Sequence, residues 1–193
     1  MKTHPSRRPA GFTLVELLVV IAIIAVLAGA GFAAGNAAIQ KAKKTTALAT
    51  CTAIESAVNN FYVEYGVMPK DSLSSDTKVK SDDTTFLKVL LGIEGGGANV
   101  LNGRSIKFLS VKEGKAKKNG LIYDAAGTNV SGLYDPWGGK YSVMLDGDYD
   151  EKITVQTAAG ISKVINKRVA AWSNGADAVS GSGGKANDDV LTW

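Results

Sequence analysis

Gly11-Phe12-Thr13-Leu14-Val15-Glu16-Leu17-Leu18-Val19-Val20-Ile21 is the stretch from which the rest of this 193-residue chain is read. Glu16 stands at the mouth of an apolar run, and no charged residue occurs from position 17 to position 40. Residues 17–34 are almost wholly apolar. That is about the length needed to cross a hydrocarbon core of roughly 30 Å at 1.5 Å per residue. Lys2, Arg7 and Arg8 precede it with no acid among them, a pattern that keeps such a flank cytoplasmic. An ordinary secretory signal has an apolar region of only about 7–15 residues. This run is longer, although Ala28-Gly29-Ala30 imitates a signal cleavage site. A plain single-span anchor leaves Glu16 unexplained. A carboxylate costs about 2.5–3.5 kcal/mol at the bilayer centre, somewhat less near an edge, and such a residue usually has a partner.

Composition removes whole classes of chemistry. There are 22 basic and 18 acidic residues, and subtracting the three leader cations from the formal +4 leaves +1 for the remainder. That balance gives no reason to expect a nucleic-acid partner. The only histidine is His4 and the only cysteine is Cys51. From Gly11 onward no histidine base, catalytic triad or His/Cys zinc site can be assembled within one chain. An intrachain disulfide is likewise impossible. Catalysis by Asp, Glu, Lys or Tyr stays open, but nothing in the sequence asks for it, and the expectation is that the chain is not an enzyme. Its length suits one folded domain with appendages.

Past residue 34 the composition turns polar, yet a helical period persists. Ile39, Ala42, Thr46, Ala49, Ala53 with Ile54, Ala57 with Val58, and Phe61 with Tyr62 recur every three or four residues. Lys41, Lys43, Lys44 and Glu55 lie mostly off that stripe. No proline interrupts between Phe12 and Met68, and Gly66 and Pro69 end the pattern. The spacing therefore predicts one helix over residues 12–64, about 80 Å long, with an apolar half (12–35) and an amphipathic half (36–65). Gly29, Gly31 and Gly35 each weaken it by about 1 kcal/mol in water, and let helices approach closely in an apolar setting. Cys51 falls on this helix and reads as a buried, inert thiol.

Residues 66–193 read as a head. Residues 71–84 are polar and read as a mobile loop. Thr84 is expected to cap a short helix over 85–91, with Phe86, Leu87, Leu90 and Leu91 inward. Glu94-Gly95-Gly96-Gly97 reads as a linker and residues 105–111 as a strand. The loop holding Lys112, Lys115, Lys117 and Lys118 has no interleaved aromatics and reads as solvated rather than as a nucleic-acid contact. Asp135-Pro136-Trp137-Gly138 has turn chemistry, with Trp137 as a large apolar anchor. Alternation at Tyr141, Val143 and Leu145, at Ile153 and Val155, and at Val169 and Ala171 gives three strands. The expected class is α+β: a long N-terminal helix packed on a small antiparallel sheet of about three strands, with a C-terminal loop.

Two acidic stretches invite a hard cation. Asp146-Gly147-Asp148-Tyr149-Asp150-Glu151 has the alternating acids of a calcium loop. The glycine expected after the third acid is Glu151, and the twelfth position is Thr157 rather than Glu. It reads as a solvated hairpin turn. The C-terminus carries Asp177, a Gly/Ser run, then Asp188 and Asp189. A loop with so little apolar content cannot order itself against its own entropy, and a cation held by two or three carboxylates would tie it down.

The segment 11–21 resembles, without a gap, the cleavage and methylation signature of type IV pilins and of type II secretion pseudopilins. Tyr65-Gly66-Val67-Met68-Pro69, the Asp-Pro-Trp-Gly turn followed by Tyr141, and the C-terminal pattern ending at Trp193 are similar to the major pseudopilins in particular. The resemblance implies cleavage after Gly11 by a prepilin peptidase, N-methylation of Phe12, and a filament-assembly role for Glu16. It also implies a calcium site in the C-terminal loop, with Asp177, Asp188, Asp189 and Ser173 as candidate ligands. The expected partners are copies of the chain itself, minor pseudopilins and an inner-membrane assembly platform. The expected place is the inner membrane, with the head (66–193) in the periplasm and residues 1–11 removed. Cleavage would free a cationic amine at Phe12 for which Glu16 is the nearby acid. Paired between staggered subunits, the two charges would neutralise each other in an apolar core, where truncating one partner costs about 3–5 kcal/mol. A type IV or competence pilus subunit is the alternative within the family. A membrane-anchored extracytoplasmic binding or enzymatic domain sharing the leader is the alternative outside it.

Overall fold

The computed structural model describes residues 11–97, 99–157, 160–179 and 188–193. Residues 1–10, most of the expected leader, and the middle of the C-terminal loop (180–187) lie outside the described residues, as do the side chains of residues 30, 31 and 33. The chain divides into two compact units, Met1–Lys41 and Ala42–Trp193. Helix α1 (Leu14–Tyr65) contributes to both. In the first unit its large apolar side chains are exposed, Leu18 at 59% and Phe32 at 76%. Among the described residues it is the one helix long and apolar enough to cross a membrane.

In the second unit α1 turns a narrow face inward. Ala47, Cys51, Ile54, Ala57, Val58 and Phe61 are buried, at the three- and four-residue steps of one helical face. The expected stripe is right from Ile54 onward. Before that it is out of phase: Ala42 and Ala49 are exposed, whereas Ala47 and Cys51 are buried. That region is mostly Ala, Lys and Thr, and its two large apolar side chains, Ile39 and Leu48, are exposed, so neither sets the phase of the buried face. Gly66 ends the helix at φ 70°, where its N–H reaches the Tyr62 carbonyl at 2.8 Å, a left-handed stop that glycine adopts freely.

The sheet against this face is antiparallel, of four strands in the order β1 (Thr77–Lys80), β4 (Tyr141–Leu145), β7 (Val169–Ser173) and β8 (Val190–Leu191). Val79 sits opposite Val143, and Val143 opposite Ala171. All three are buried and join one core with the α1 face. Helix α2 (Thr84–Leu91) adds Phe86, Leu87, Val89, Leu90 and Leu91. Hairpin β2–β3 (Gly120–Tyr123, Val130–Tyr134) adds Leu121, Val130 and Leu133. Hairpin β5–β6 (Ile153–Gln156, Ser162–Ile165) forms a second cluster, in which Ile153 and Val155 pack with Ala170, Met144 and Trp193.

The α+β class holds, and the strand inventory is larger than expected. Ile153 and Val155 do form a strand, but it pairs with β6 rather than joining the main sheet. The loop expected over 71–84 contains β1, which pairs along its whole length with β4. Helix α2 starts at Thr84 and is capped by Asp83, whose Oδ1 accepts the N–H groups of Thr85 and Phe86 at 3.1 and 3.2 Å. Residues 105–111 form no strand. The N–H groups of Phe108 and Leu109 both go to the Leu90 carbonyl at 2.9 Å, and that of Ile106 goes to Asn102 Oδ1 at 3.0 Å. Those donors serve the end of α2 instead of a ladder. Residues 146–151 are not a solvated hairpin turn, since β4 and β5 pair with other strands and Asp146 is fully buried.

Candidate functional site

The start of α1 is where the segment 11–21 exposes its chemistry. Gly11, Phe12 and Thr13 precede the helix and are exposed. Glu16 Oε2 accepts the Thr13 N–H at 2.8 Å and the Thr13 hydroxyl at 2.7 Å. In return the Glu16 N–H donates to Thr13 Oγ1 at 3.2 Å. This is a reciprocal capping box, the arrangement that a Thr-x-x-Glu spacing forms at a helix start. It satisfies donors that the first turn leaves without intrahelical partners, and it sets a negative charge at the positive end of the helix dipole. Glu16 therefore has a structural role within its own chain. Thr13 is the residue missed in reading the sequence, and the spacing of Thr13 to Glu16 was the signal that would have found it.

At the other end of the chain, one C-terminal candidate, Ser173, is held by the buried carboxylate of the Asp-Pro-Trp-Gly turn, a role that turn chemistry alone did not reveal. Asp135, 1% exposed, accepts the N–H groups of Trp137, Gly138 and Gly139 on Oδ1 at 2.9, 2.8 and 2.8 Å. Its Oδ2 accepts the hydroxyl of Ser173 at 2.6 Å. Ser173, expected as a metal ligand, is buried and turned to Asp135, while its oxygen takes the Gly175 N–H at 3.2 Å. Asp188 Oδ2 accepts the N–H groups of Ala176 and Asp177 at 3.0 and 3.1 Å. Asp177 Oδ1 accepts the Val179 N–H at 2.9 Å, and Asp189 is half-buried beside Asp188. So Asp188 joins the two ends of the loop directly. Its Oδ1 is buried and accepts no hydrogen bond. Among the described residues, three acids lie close enough together to share one ion at a second place, Asp76, Asp146 and Asp148.

The end of the chain is also fastened to α1. The Thr192 hydroxyl donates to Glu55 on α1, and Lys167 Nζ lies 3.5 Å from the same carboxylate while donating to the Thr192 carbonyl at 2.9 Å. Trp193 meets Trp172 edge to face at 5.5 Å.

Residues 6–32 match the prokaryotic N-terminal methylation motif. The chain is similar to the type IV major pilin protein PilE of Neisseria gonorrhoeae, 32% identical over 96 residues, which is 48% of this chain and 58% of that protein. It is similar to a fimbrial protein of Neisseria meningitidis serogroup A, 32% identical over 87 residues, 43% of this chain and 51% of that one. It thus spans little more than half the length of these curated relatives. No solved structure matches.

Proposed function

We propose that this chain is a structural subunit of a type IV pilin-like filament, cleaved after Gly11, methylated at Phe12 and polymerised through the apolar part of α1. The observation that carries this reading is the conjunction at one helix start. An exposed acid, Glu16, leads an uninterrupted apolar run whose side chains are also exposed, inside a matched methylation motif. Such a surface is stable only in lipid or against its own kind. An incoming subunit's N-terminal amine would meet Glu16, whose Oε1 makes no capping bond to Thr13.

Within that class, the subunit of a type II secretion pseudopilus is the reading we favour. The single Cys51 is buried and free, so the head carries no disulfide-closed loop, and Asp135 of the Asp-Pro-Trp-Gly turn secures β7, the strand before the C-terminal loop, instead. Assembly would then involve a prepilin peptidase, an inner-membrane platform and minor pseudopilins, with the head in the periplasm. A surface pilus subunit is the second reading, favoured by the printed names of the similar proteins. The C-terminal acids remain a candidate calcium site under either reading, supported by the buried Oδ1 of Asp188. Glu16→Ala tests the common core: filaments sheared from cells should disappear while the chain stays in the membrane with a folded head. Filaments at the normal level would end the proposal. Deleting the gene separates the two readings, since loss of secreted proteins indicates the pseudopilus and loss of surface fibres indicates the pilus.

A further inference from the structure

Three acids distant in sequence meet beside the second core cluster. Asp76 precedes β1, while Asp146 and Asp148 follow β4. One carboxylate oxygen from each lies within 4.8 Å of the others. Asp146 is fully buried. Its Oδ2 accepts the Glu151 N–H at 2.9 Å, and its Oδ1 is buried with no hydrogen bond. Asp76 repeats the pattern: one oxygen takes the Thr154 N–H at 3.1 Å and Oδ1 is buried without a partner. Among the described residues no lysine or arginine forms an ion pair with any of the three. Buried acceptor oxygens left without a donor carry their full desolvation penalty, so two such oxygens, on carboxylates that also meet within 4.8 Å, call for a positive occupant.

The chain backbone is shaped to bring them together. A side chain at Gly147 would collide with the carbonyl oxygen of Ser75, so the glycine between Asp146 and Asp148 is what lets the segment carrying Asp76 lie against the turn. The calcium-loop spacing of 146–150 fails as a twelve-residue loop because its later positions are wrong, and the structure supplies a ligand from elsewhere, Asp76. We propose that Asp76, Asp146 and Asp148 form a site for a hard divalent cation of calcium's size, separate from the C-terminal loop. Carboxylate oxygens alone favour hard ions over zinc or copper. Oxygens on opposite sides of a calcium ion stand about 4.6–5.2 Å apart and on magnesium about 4.0–4.2 Å, so a cluster within 4.8 Å fits inside a calcium shell. Bound there, the ion clips the entry to β1, the end of β4 and, through Asp76, the start of β5. The competing occupant is a proton. Burial holds the carboxyls of Asp76 and Asp146 above their ordinary range, and neighbouring Asp148 adds to this in both.

The site stands independently of the filament reading, and so does its test. The full chain, purified in detergent and stripped with chelator, is titrated with calcium and with terbium. Tyr149, within the turn, serves as the donor for terbium luminescence. Calcium at a hundredfold above Kd should raise the Tm by about 5–10 °C and displace terbium, with magnesium far weaker. Asp148→Asn, at an exposed position, should fold and lower the affinity about tenfold or more. Asp146→Asn should abolish the response, whereas the pair Asp177→Asn and Asp188→Asn should keep it. Three results would overturn the site: no calcium response at all, a response surviving Asp148→Asn unchanged, or one lost only with the C-terminal pair. If a shared proton fills the cluster, the wild type ignores calcium and Asp148→Asn raises the Tm, which counts against the cation equally.

Discussion

Ser173, the last residue of β7, donates its hydroxyl to Asp135 Oδ2 across 2.6 Å, in a place where both side chains are buried. The other oxygen of Asp135 gathers three successive backbone N–H groups of the turn after β3. One carboxylate thus shapes a turn and fastens it to the strand that leads into the C-terminal loop. Charged hydrogen bonds of this kind are worth about 1.5–3 kcal/mol each, and leaving buried donors unpaired adds its own penalty.

Asp135→Ala should therefore destabilise the head by roughly 3 kcal/mol or more, read as a lower midpoint in urea unfolding. Asp135→Asn keeps an acceptor for the turn and should lose less. Equal stability of all three proteins would remove Asp135 from this role.

Asp83 gives a pH dependence. Burial raises its carboxyl, but the Lys70 ammonium at 2.8 Å and the N–H groups of Phe86 and Thr85 outweigh that and hold it below the usual aspartate range. A pKa lower in the folded chain means stability that is complete above the unfolded value, about 3.9, and lost as pH falls through the folded one. Between pH 5 and pH 3 the wild type should lose more Tm than Asp83→Asn. Asp83→Ala should also forfeit about 0.5–2 kcal/mol of capping at neutral pH. Parallel Tm curves for wild type and Asp83→Asn over that interval would contradict the assignment.

Intact-mass analysis of the chain from membranes of a host with the processing enzymes should find it starting at Phe12 and heavier by one methyl group. A mass still including residues 1–11 would refute processing.

Cys51 is fully buried on the inward face of α1. Burial, reinforced by the nearby carboxylate of Glu55, pushes its thiol far above the ordinary range. At neutral pH it should resist maleimide until denaturant is added, since the thiolate is the reactive form. Rapid labelling of the folded chain would show that the helix face opens.

The helix, its end at Gly66 and the three alternating strands were legible because large apolar side chains mark their period. β1 was not, since in Thr-Lys-Val-Lys only Val79 points inward. The pairing of β5 was not, because alternation reports a face and never a neighbour. At the helix start, Glu16 was conspicuous for its charge, while its bond to Thr13 needed the three-residue spacing to be read as a cap rather than as part of the apolar run. Asp135 and Asp76 were hidden for a different reason. Each acts on groups far along the chain, Ser173 for one and Asp146 for the other, and only the fold makes those distances short.

The bare apolar side chains along the first part of α1 also govern supply. A surface clad this way is costly in water, so subunits of the filament proposed above would be drawn from whatever the bilayer already holds. Growth of that proposed polymer would be a transfer of chains from lipid to kin, its length bounded by the number embedded beforehand.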